Sequence, residues 1–405
     1  MNIIIKGGEF NNKGSEAMSL IAIYNIRKSF PYANIYFFDY GYRFMYGSDI
    51  NIKFFSFPYW VFDYLIGLSN KRKYLIGKIK NYLKKYIPNR RFYTNNEITD
   101  SLNIIKNADH FIDISGYALS SNWGLNNCKY YAFWIDFVKK YNPNCKIYLM
   151  PQSFGPFDFD ETTNNKIKSS LAKCDKIFAR EQGGFNDLTK KFGLNNVCLS
   201  YDSVLLEKEY KPEKVITNID KYIEKPQKTN DRKVAIIPNY RLVDRGNNSI
   251  ESLINLYSKI INETNSNITF YLIPHAGEDI HICKMIKERF PDNGKVVLID
   301  HVMASFNYEN FVSDFDYIIA SRYHSIVHAY REGTPAVIIG WSEKYDEVAK
   351  AFDQSDYIYD LKGNGNIMGL INKIEFNYSK EREHIKRLLP EIQKQSCYEF
   401  LTNIP

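Results

Sequence analysis

Four consecutive residues, Ser321-Arg322-Tyr323-His324, carry the sharpest chemical signal in the chain. They follow the apolar run Asp316-Tyr317-Ile318-Ile319-Ala320, which reads as a strand, and open a stretch of helical period that closes at Gly333-Thr334-Pro335. Ser321 suits the N-cap of that helix. The helix start then gathers free amides and the positive end of its dipole at the carboxyl edge of a sheet, where alternating α/β folds bind anionic groups. Arg322 adds a two-pronged fork for phosphate or carboxylate, and His324 can exchange a proton near neutral pH. The plainer alternative makes Arg322 a surface residue and His324 a satisfied turn residue; placement at a strand's carboxyl end disfavours it. His324 and His328 stand four apart on one helical face, a spacing zinc sites use. No third His, Cys or acidic ligand stands at a recognisable distance, so no metal site is expected.

A second anion-friendly turn runs Gly7-Gly8-Glu9-Phe10-Asn11-Asn12-Lys13-Gly14-Ser15-Glu16. It matches neither the dinucleotide fingerprint nor the Walker pattern. Its small residues admit close approach of a substrate to the backbone, with Gly8 and Asn12 as candidate contacts, although an ordinary strand-to-helix turn explains it equally. Arg180, Arg241 and His275 each end an apolar run, the position where loops of doubly wound sheets carry function. Alone each is a weak signal; with Arg322 and His324 they can line one cleft.

These residues need a scaffold that brings strand ends together. Apolar or aromatic runs at 2–6, 34–39, 110–114, 146–150 and 176–179 alternate with segments of helical period such as 17–28 and 130–140, and a second series follows at 233–237, 269–273, 295–299, 317–320 and 336–339. Alternation of this kind predicts parallel sheets covered by helices on both faces. Two Rossmann-like domains facing a cleft are therefore expected, at 1–206 and 233–377. Residues 207–232, rich in Lys, Glu, Pro, Asn and Thr and ending in Pro226-Gln227-Lys228-Thr229-Asn230, read as the linker. A C-terminal helical segment, 378–405, is interrupted at Pro390 and is expected to kink there and cross back to the first domain.

A chain of 405 residues exceeds the usual size of one hydrophobic core, and 44% hydrophobic with 24% charged residues fits a folded globular protein. The six cysteines are scattered without a Cys-x-x-Cys pair and read as reduced core thiols, which places the protein in the cytoplasm. The opening run Asn2-Ile3-Ile4-Ile5 is too short for a signal segment and reads as the first strand. No uncharged apolar stretch approaches the roughly 18 to 20 residues that span a bilayer. The formal net charge of +7 favours anionic partners without choosing among them. One segment, Lys71 to Arg91, places Leu75, Ile76, Ile79, Tyr82, Leu83, Tyr86 and Ile87 on one helical face with lysines mostly elsewhere, preceded by Trp60, Phe62 and Tyr64. It reads either as an interfacial helix at the inner membrane face or as a helix docked on the sheet with a solvated basic face.

The order of motifs resembles the polysaccharide pyruvyl transferase family: Gly7 to Met18, Asp109 to Gly116, Gln152 to Pro156, Phe178 to Glu181, and Ser321 to Ser325 extending through His328, Gly333 and Pro335 to Lys344. Two departures stand out. Ser15 replaces the aspartate of the family's Asn-x-Gly-Asp-Glu turn, and Tyr117 stands where a second glycine is expected. The resemblance implies a GT-B-like architecture and transfer of the pyruvyl group of phosphoenolpyruvate to two hydroxyls of a sugar as a cyclic ketal. It further implies an acceptor on the first domain, a donor on the second, and no cofactor beyond phosphoenolpyruvate as substrate. The acceptor it suggests is a hexose or N-acetylhexosamine, carried on a polyprenyl diphosphate. On this reading Arg322 and its helix start hold the phosphate, Arg180 the carboxylate, Ser321, Arg241, His275 and Gln152 supplement them, and His324 is the acid or base. The nearest rival is a glycosyltransferase using a nucleotide sugar in the same cleft. A nucleic-acid module is disfavoured, because the 32 tyrosines are dispersed without a paired-aromatic signature.

Overall fold

The computed structural model describes residues 1–38, 46–65, 69–87, 91–224, 232–246, 248–264, 267–291, 294–340, 342–361 and 365–402. Among these, the first half builds a parallel sheet from β1 (Asn2–Lys6), β2 (Asn34–Phe38), β3 (Lys53–Phe55), β4 (His110–Asp113), β5 (Tyr117–Leu119), β6 (Lys146–Phe154), β7 (Lys176–Ala179) and β8 (Val197–Leu199). Its order is β3-β2-β1-β4-β6-β7-β8, with β5 pairing the end of β6. The second half builds another from β9 (Arg232–Ile237), β10 (Ile268–Leu272), β11 (Val296–Leu298), β12 (Tyr317–Ala320), β13 (Ala336–Gly340) and β14 (Ile358–Asp360), ordered β11-β10-β9-β12-β13-β14. In each, the chain runs outward from its first strand and then returns to the other side. The order therefore reverses between β1 and β4 and between β9 and β12, and the crevice outside those carboxyl ends is where such sheets bind ligands. Ile3, Ile4 and Ile5 are buried without alternation, as are Val234 to Ile237, because helices cover both faces.

The two halves share a core. The helix Lys13–Ser29, capped by the Asn12 side chain accepting from the amides of Gly14 (3.0 Å) and Ser15 (3.3 Å), is buried along most of its length and packs against the helices Ser305–Ser313 and Tyr323–Arg331 of the second half. One apolar cluster runs from Ile3, Leu20 and Ile26 through to Ile318, Ile326 and Tyr330.

Some expected boundaries move. Residues 207–224 are more than a bare linker: Tyr210 and Ile216 are buried, and Tyr222 donates to Asp49 at 2.8 Å. The stretch Pro226 to Asn230 lies outside the described residues. The terminal helix is one element, Ile367–Ile392, beginning eleven residues earlier than expected, and Pro390 sits in its last turn instead of interrupting it. The crossing back is real. Gln393 donates to the Leu205 carbonyl at 3.1 Å, and the Phe400 ring stacks on Tyr148 with centroids 3.9 Å apart. Phe62, read from sequence as an interfacial aromatic, is instead fully buried against Trp134 at 4.7 Å.

Candidate functional site

A cleft of about 890 Å³ opens at the carboxyl ends of both sheets, within the range that holds small-molecule ligands. From the first half come Glu9 to Asn12 and Glu16 after β1, and Tyr117 and Trp123 near β5. The second half supplies Asn239 and Arg241 after β9, His275 to Glu278 after β10, Arg322 to His324 after β12, and Lys344 and Tyr345 after β13. Of the residues proposed from sequence, the fold thus brings Asn12, Arg241, His275, Arg322 and His324 to one place. The halves also touch here: Asn12 bridges antiparallel to Ala276, and the Lys13 ammonium donates to the Pro274 carbonyl.

The other four lie behind the cleft wall. Ser321 does not cap the helix, which starts at Tyr323 with Arg322 in the N-cap position and no side-chain cap bond. Its hydroxyl pairs with Tyr257 at 2.6 Å in the core, while its carbonyl accepts from Asn239 (2.9 Å) and Tyr345 (2.8 Å). Gln152 belongs to strand β6, not to a turn; Oε1 accepts from Tyr131 at 3.3 Å, and Nε2 is buried without a hydrogen bond among the described residues. Gly8 packs helix on sheet, for a Cβ there would come within 2.8 Å of Ser19, Phe37 and Ile114. Arg180 is buried, with Nε on Glu181 at 2.8 Å, Nη1 on Asp202 at 2.7 Å and Nη2 on Ser153 at 2.6 Å. Its guanidinium lies 4.3 Å from the centre of the Tyr323 ring. With its donors so engaged it supports the cleft wall, and it is not among the residues that line the cleft.

Support of His324 comes from the opposite half. Its Nε2 lies 3.5 Å from Asp202 Oδ2, the carboxylate that also pairs Arg180 and caps Val204. Burial pulls the His324 imidazole below its usual range while Asp202 pulls the other way. Burial also opposes ionisation of Asp202, but His324, Arg180 and the Val204 amide outweigh it and hold the carboxyl well below its ordinary range. Gly14 is the second support: a Cβ there would stand 2.2 Å from His324 Cγ and Nδ1. Glycine in the first turn of a helix costs about 1 kcal/mol against alanine, and here it makes room for the ring. His328 faces away, its Nδ1 in a hydrogen-bond contact with Glu309 at 2.7 Å.

Arg322 donates through Nε and Nη2 to Asp279 (2.9 and 2.6 Å) and through Nη2 to Glu278 (3.1 Å), so two carboxylates fix its plane; Nη1 carries no hydrogen bond among the described residues. Beside it, the first amides of its helix have no intrahelical acceptor. Arg241 reaches Glu278 at 3.1 Å and is half-exposed at the rim. Lys344 stands over the rings of Tyr117, Tyr323 and Tyr345 at 5.4 to 5.6 Å. His275 accepts or donates at Nδ1 with Ser325 at 2.8 Å; burial, then Lys13 and Arg322, keep it well below its usual range and therefore neutral. At the buried base of the cleft, burial pushes Lys13 down to about 7 and lifts Glu16 to about 7, the latter against hydrogen bonds from Tyr46 and from the Ser305 amide at 2.9 Å.

Sequence reasoning passed over Asp202, Asp279 and Glu278 as partners, and gave Lys344 no role beyond membership of a motif. The acid pair does leave a signal, following His275 by three and four residues at a helix start. Asp202 leaves almost none, since its partner His324 is more than a hundred residues away.

The polysaccharide pyruvyl transferase family model matches residues 12–343. No curated protein matches the sequence itself. Solved structures share the architecture at low identity. Trehalose-6-phosphate synthase OtsA aligns at TM-score 0.54 and 8% identity over 100% of this chain and 99% of its own. The lipopolysaccharide outer core galactosyltransferase WaaB aligns at 0.51 and 12% over 100% and 98%. UDP-GlcNAc 2-epimerase from Methanocaldococcus jannaschii aligns at 0.52 and 12% over 97% and 99%. The fold is that of the GT-B glycosyltransferases, two Rossmann-like domains about a cleft.

Proposed function

We propose, on the premise that this chain belongs to the polysaccharide pyruvyl transferase family, that it moves the pyruvyl group of phosphoenolpyruvate onto two hydroxyls of a sugar as a cyclic ketal, in building a surface polysaccharide or its polyprenyl-linked precursor. The observation that carries this reading is Arg322 and His324 on one helix start in a two-sided cleft, with Arg241 and Lys344 adding cations. Phosphoenolpyruvate presents a phosphate and a carboxylate, so its site needs more than one cationic group. Arg322 Nη1 and the helix amides suit the phosphate; Arg241 or Lys344 suits the carboxylate, the role sequence alone had given to Arg180.

The reaction adds a proton to the methylene carbon of phosphoenolpyruvate and one sugar hydroxyl oxygen to its central carbon. Inorganic phosphate then leaves with the C–O bond pair, and a second hydroxyl closes the ketal and loses its proton. A neutral His324 accepts a hydroxyl proton, and the imidazolium formed faces Asp202, which stabilises it and leaves it able to return a proton to carbon. Such a group contributes on the order of 10² to 10⁴ in rate.

Calorimetric titration with phosphoenolpyruvate, on the wild type, Arg322→Ala and His324→Ala, tests this. Binding should vanish in the arginine variant and persist in the histidine variant, with phosphate release in the presence of an acceptor sugar lost in both. Binding of a UDP-sugar with none of phosphoenolpyruvate would replace this reading by glycosyl transfer.

A further inference from the structure

The helix Lys71–Lys84 and the turn that follows it form the chain's least accounted-for feature. They belong to the crossover between β3 and β4, residues 56–109, whereas the equivalent crossover of the second half, between β11 and β12, needs only 299–316 and one helix. Of the apolar side chains of this helix only Tyr74 packs against a core cluster. It docks through Tyr74, Gly77 and Asn81, spaced as one helical face. Tyr74 packs on Trp60 (5.2 Å) and Tyr64 (4.5 Å), Gly77 lies under Trp60 with no room for a Cβ, and Asn81 exchanges hydrogen bonds with the Tyr93 backbone at 2.7 and 3.0 Å.

Leu75, Ile76, Ile79, Tyr82, Leu83, Tyr86 and Ile87 are all exposed, Ile79 at 60% and Tyr86 at 66%, and none belongs to a core cluster. At 100° per residue Leu75, Ile76, Ile79, Tyr82 and Leu83 fill an arc of about 120° opposite the docked face, and Tyr86 and Ile87 follow in the turn after the helix. Lys71 and Lys78 border that arc on one side and Lys73, Lys80 and Lys84 on the other, while Arg72 falls within it in the first turn and Lys85 caps the helix. Residues 71–87 contain seven Lys and Arg and no Asp or Glu, which equals the formal net charge of the whole chain. The remainder of the protein is formally neutral.

From this placement we propose that the outward face of residues 71–87 inserts, parallel to the surface, into a bilayer bearing anionic headgroups. An apolar pole directed away from the protein, flanked on both sides by snorkelling lysines, is the pattern of a helix lying in a membrane interface. Among the described residues no helix is long and apolar enough to cross a membrane, so contact is by lying on it. Charge complementarity selects the occupant. A second copy pairing face to face would set the same lysine rows against each other, whereas anionic headgroups neutralise them.

Co-sedimentation of the full chain with vesicles of phosphatidylcholine, alone or with an equal part of phosphatidylglycerol, tests the proposal. Binding is expected on the anionic vesicles, falling with added salt. Lys78→Gln with Lys85→Gln should weaken it roughly 30-fold, at the strength expected of each lysine near an anionic surface. Ile79→Asp with Leu83→Asp should abolish it, while phosphoenolpyruvate binding and turnover on a water-soluble acceptor stay unchanged in both variants. Equal retention of wild type and the Asp variant, or no retention on anionic vesicles, overturns the proposal without touching the catalytic reading. So does light scattering that finds a wild-type dimer split by the Asp substitutions, which would make a second copy the occupant.

Discussion

Replacing Glu16 by Gln should make the protein more stable at pH 8 and no more stable at pH 5. Glu16 is fully buried between the halves, where Tyr46 and the Ser305 amide bond its carboxyl. Burial, offset in part by those bonds and by Lys13, lifts its pKa from 4.5 to about 7. Between those values the folded protein holds a proton that the unfolded chain has released, so stability falls as pH rises through the window and stays lowered above it. The separation corresponds to about 3 kcal/mol at pH 8. Gln reproduces the protonated acid: its oxygen accepts from Ser305 and its amide donates to the Tyr46 oxygen. Urea unfolding of both proteins at pH 5 and pH 8 reads the effect as the wild-type loss that the variant escapes. Equal pH dependence in the two, or a variant less stable at pH 8, would refute burial as the cause.

Asp202→Asn keeps the bond to the Val204 amide and removes the charge shared by Arg180 and His324. It should cost about 3 kcal/mol of stability and lower kcat roughly 100-fold. Because the imidazole loses its anion, the acid limb of the rate profile should move to lower pH; an unmoved limb would remove Asp202 from the tuning of His324. Gly14→Ala places a methyl against the His324 ring and should lower kcat/KM roughly 100-fold while stability drops by only about 1 to 2 kcal/mol, since alanine favours the helix; turnover and thermal melting read the two separately. Phe400→Ala, which removes a stacked ring from the half-crossing terminal segment, should cost about 1 to 2 kcal/mol by urea titration and leave phosphoenolpyruvate affinity unaltered.

Strong apolar periodicity made the scaffold readable. The runs at 2–6, 176–179 and 317–320 coincide with β1, β7 and β12, and the motif after β12 lands in the cleft. The strands passed over, β3, β5, β8 and β14, are three residues each, too short to show a period. The differences in placement at the site have a common physical origin. Sequence shows that Arg180 ends a strand but not that the adjacent Glu181, Ser153 of the neighbouring strand and Asp202 at the start of the helix Ser203–Leu206 engage its donors. Ser321 looks like a cap because Ser usually caps, yet the hydroxyl of Tyr257, from another helix, holds it in the core. Gly8 and Gly14 are alike in sequence, and only tertiary contact distinguishes packing a helix on a sheet from seating the histidine.

His324 is borne on one half of the chain and is seated by Gly14 and Asp202 of the other. The arrangement that seats this histidine is therefore not contained in either half alone. A hybrid assembled from the halves of two relatives would carry every cleft residue and still misplace its histidine, unless the positions equivalent to Gly14, Asp202 and His324 were taken from one parent.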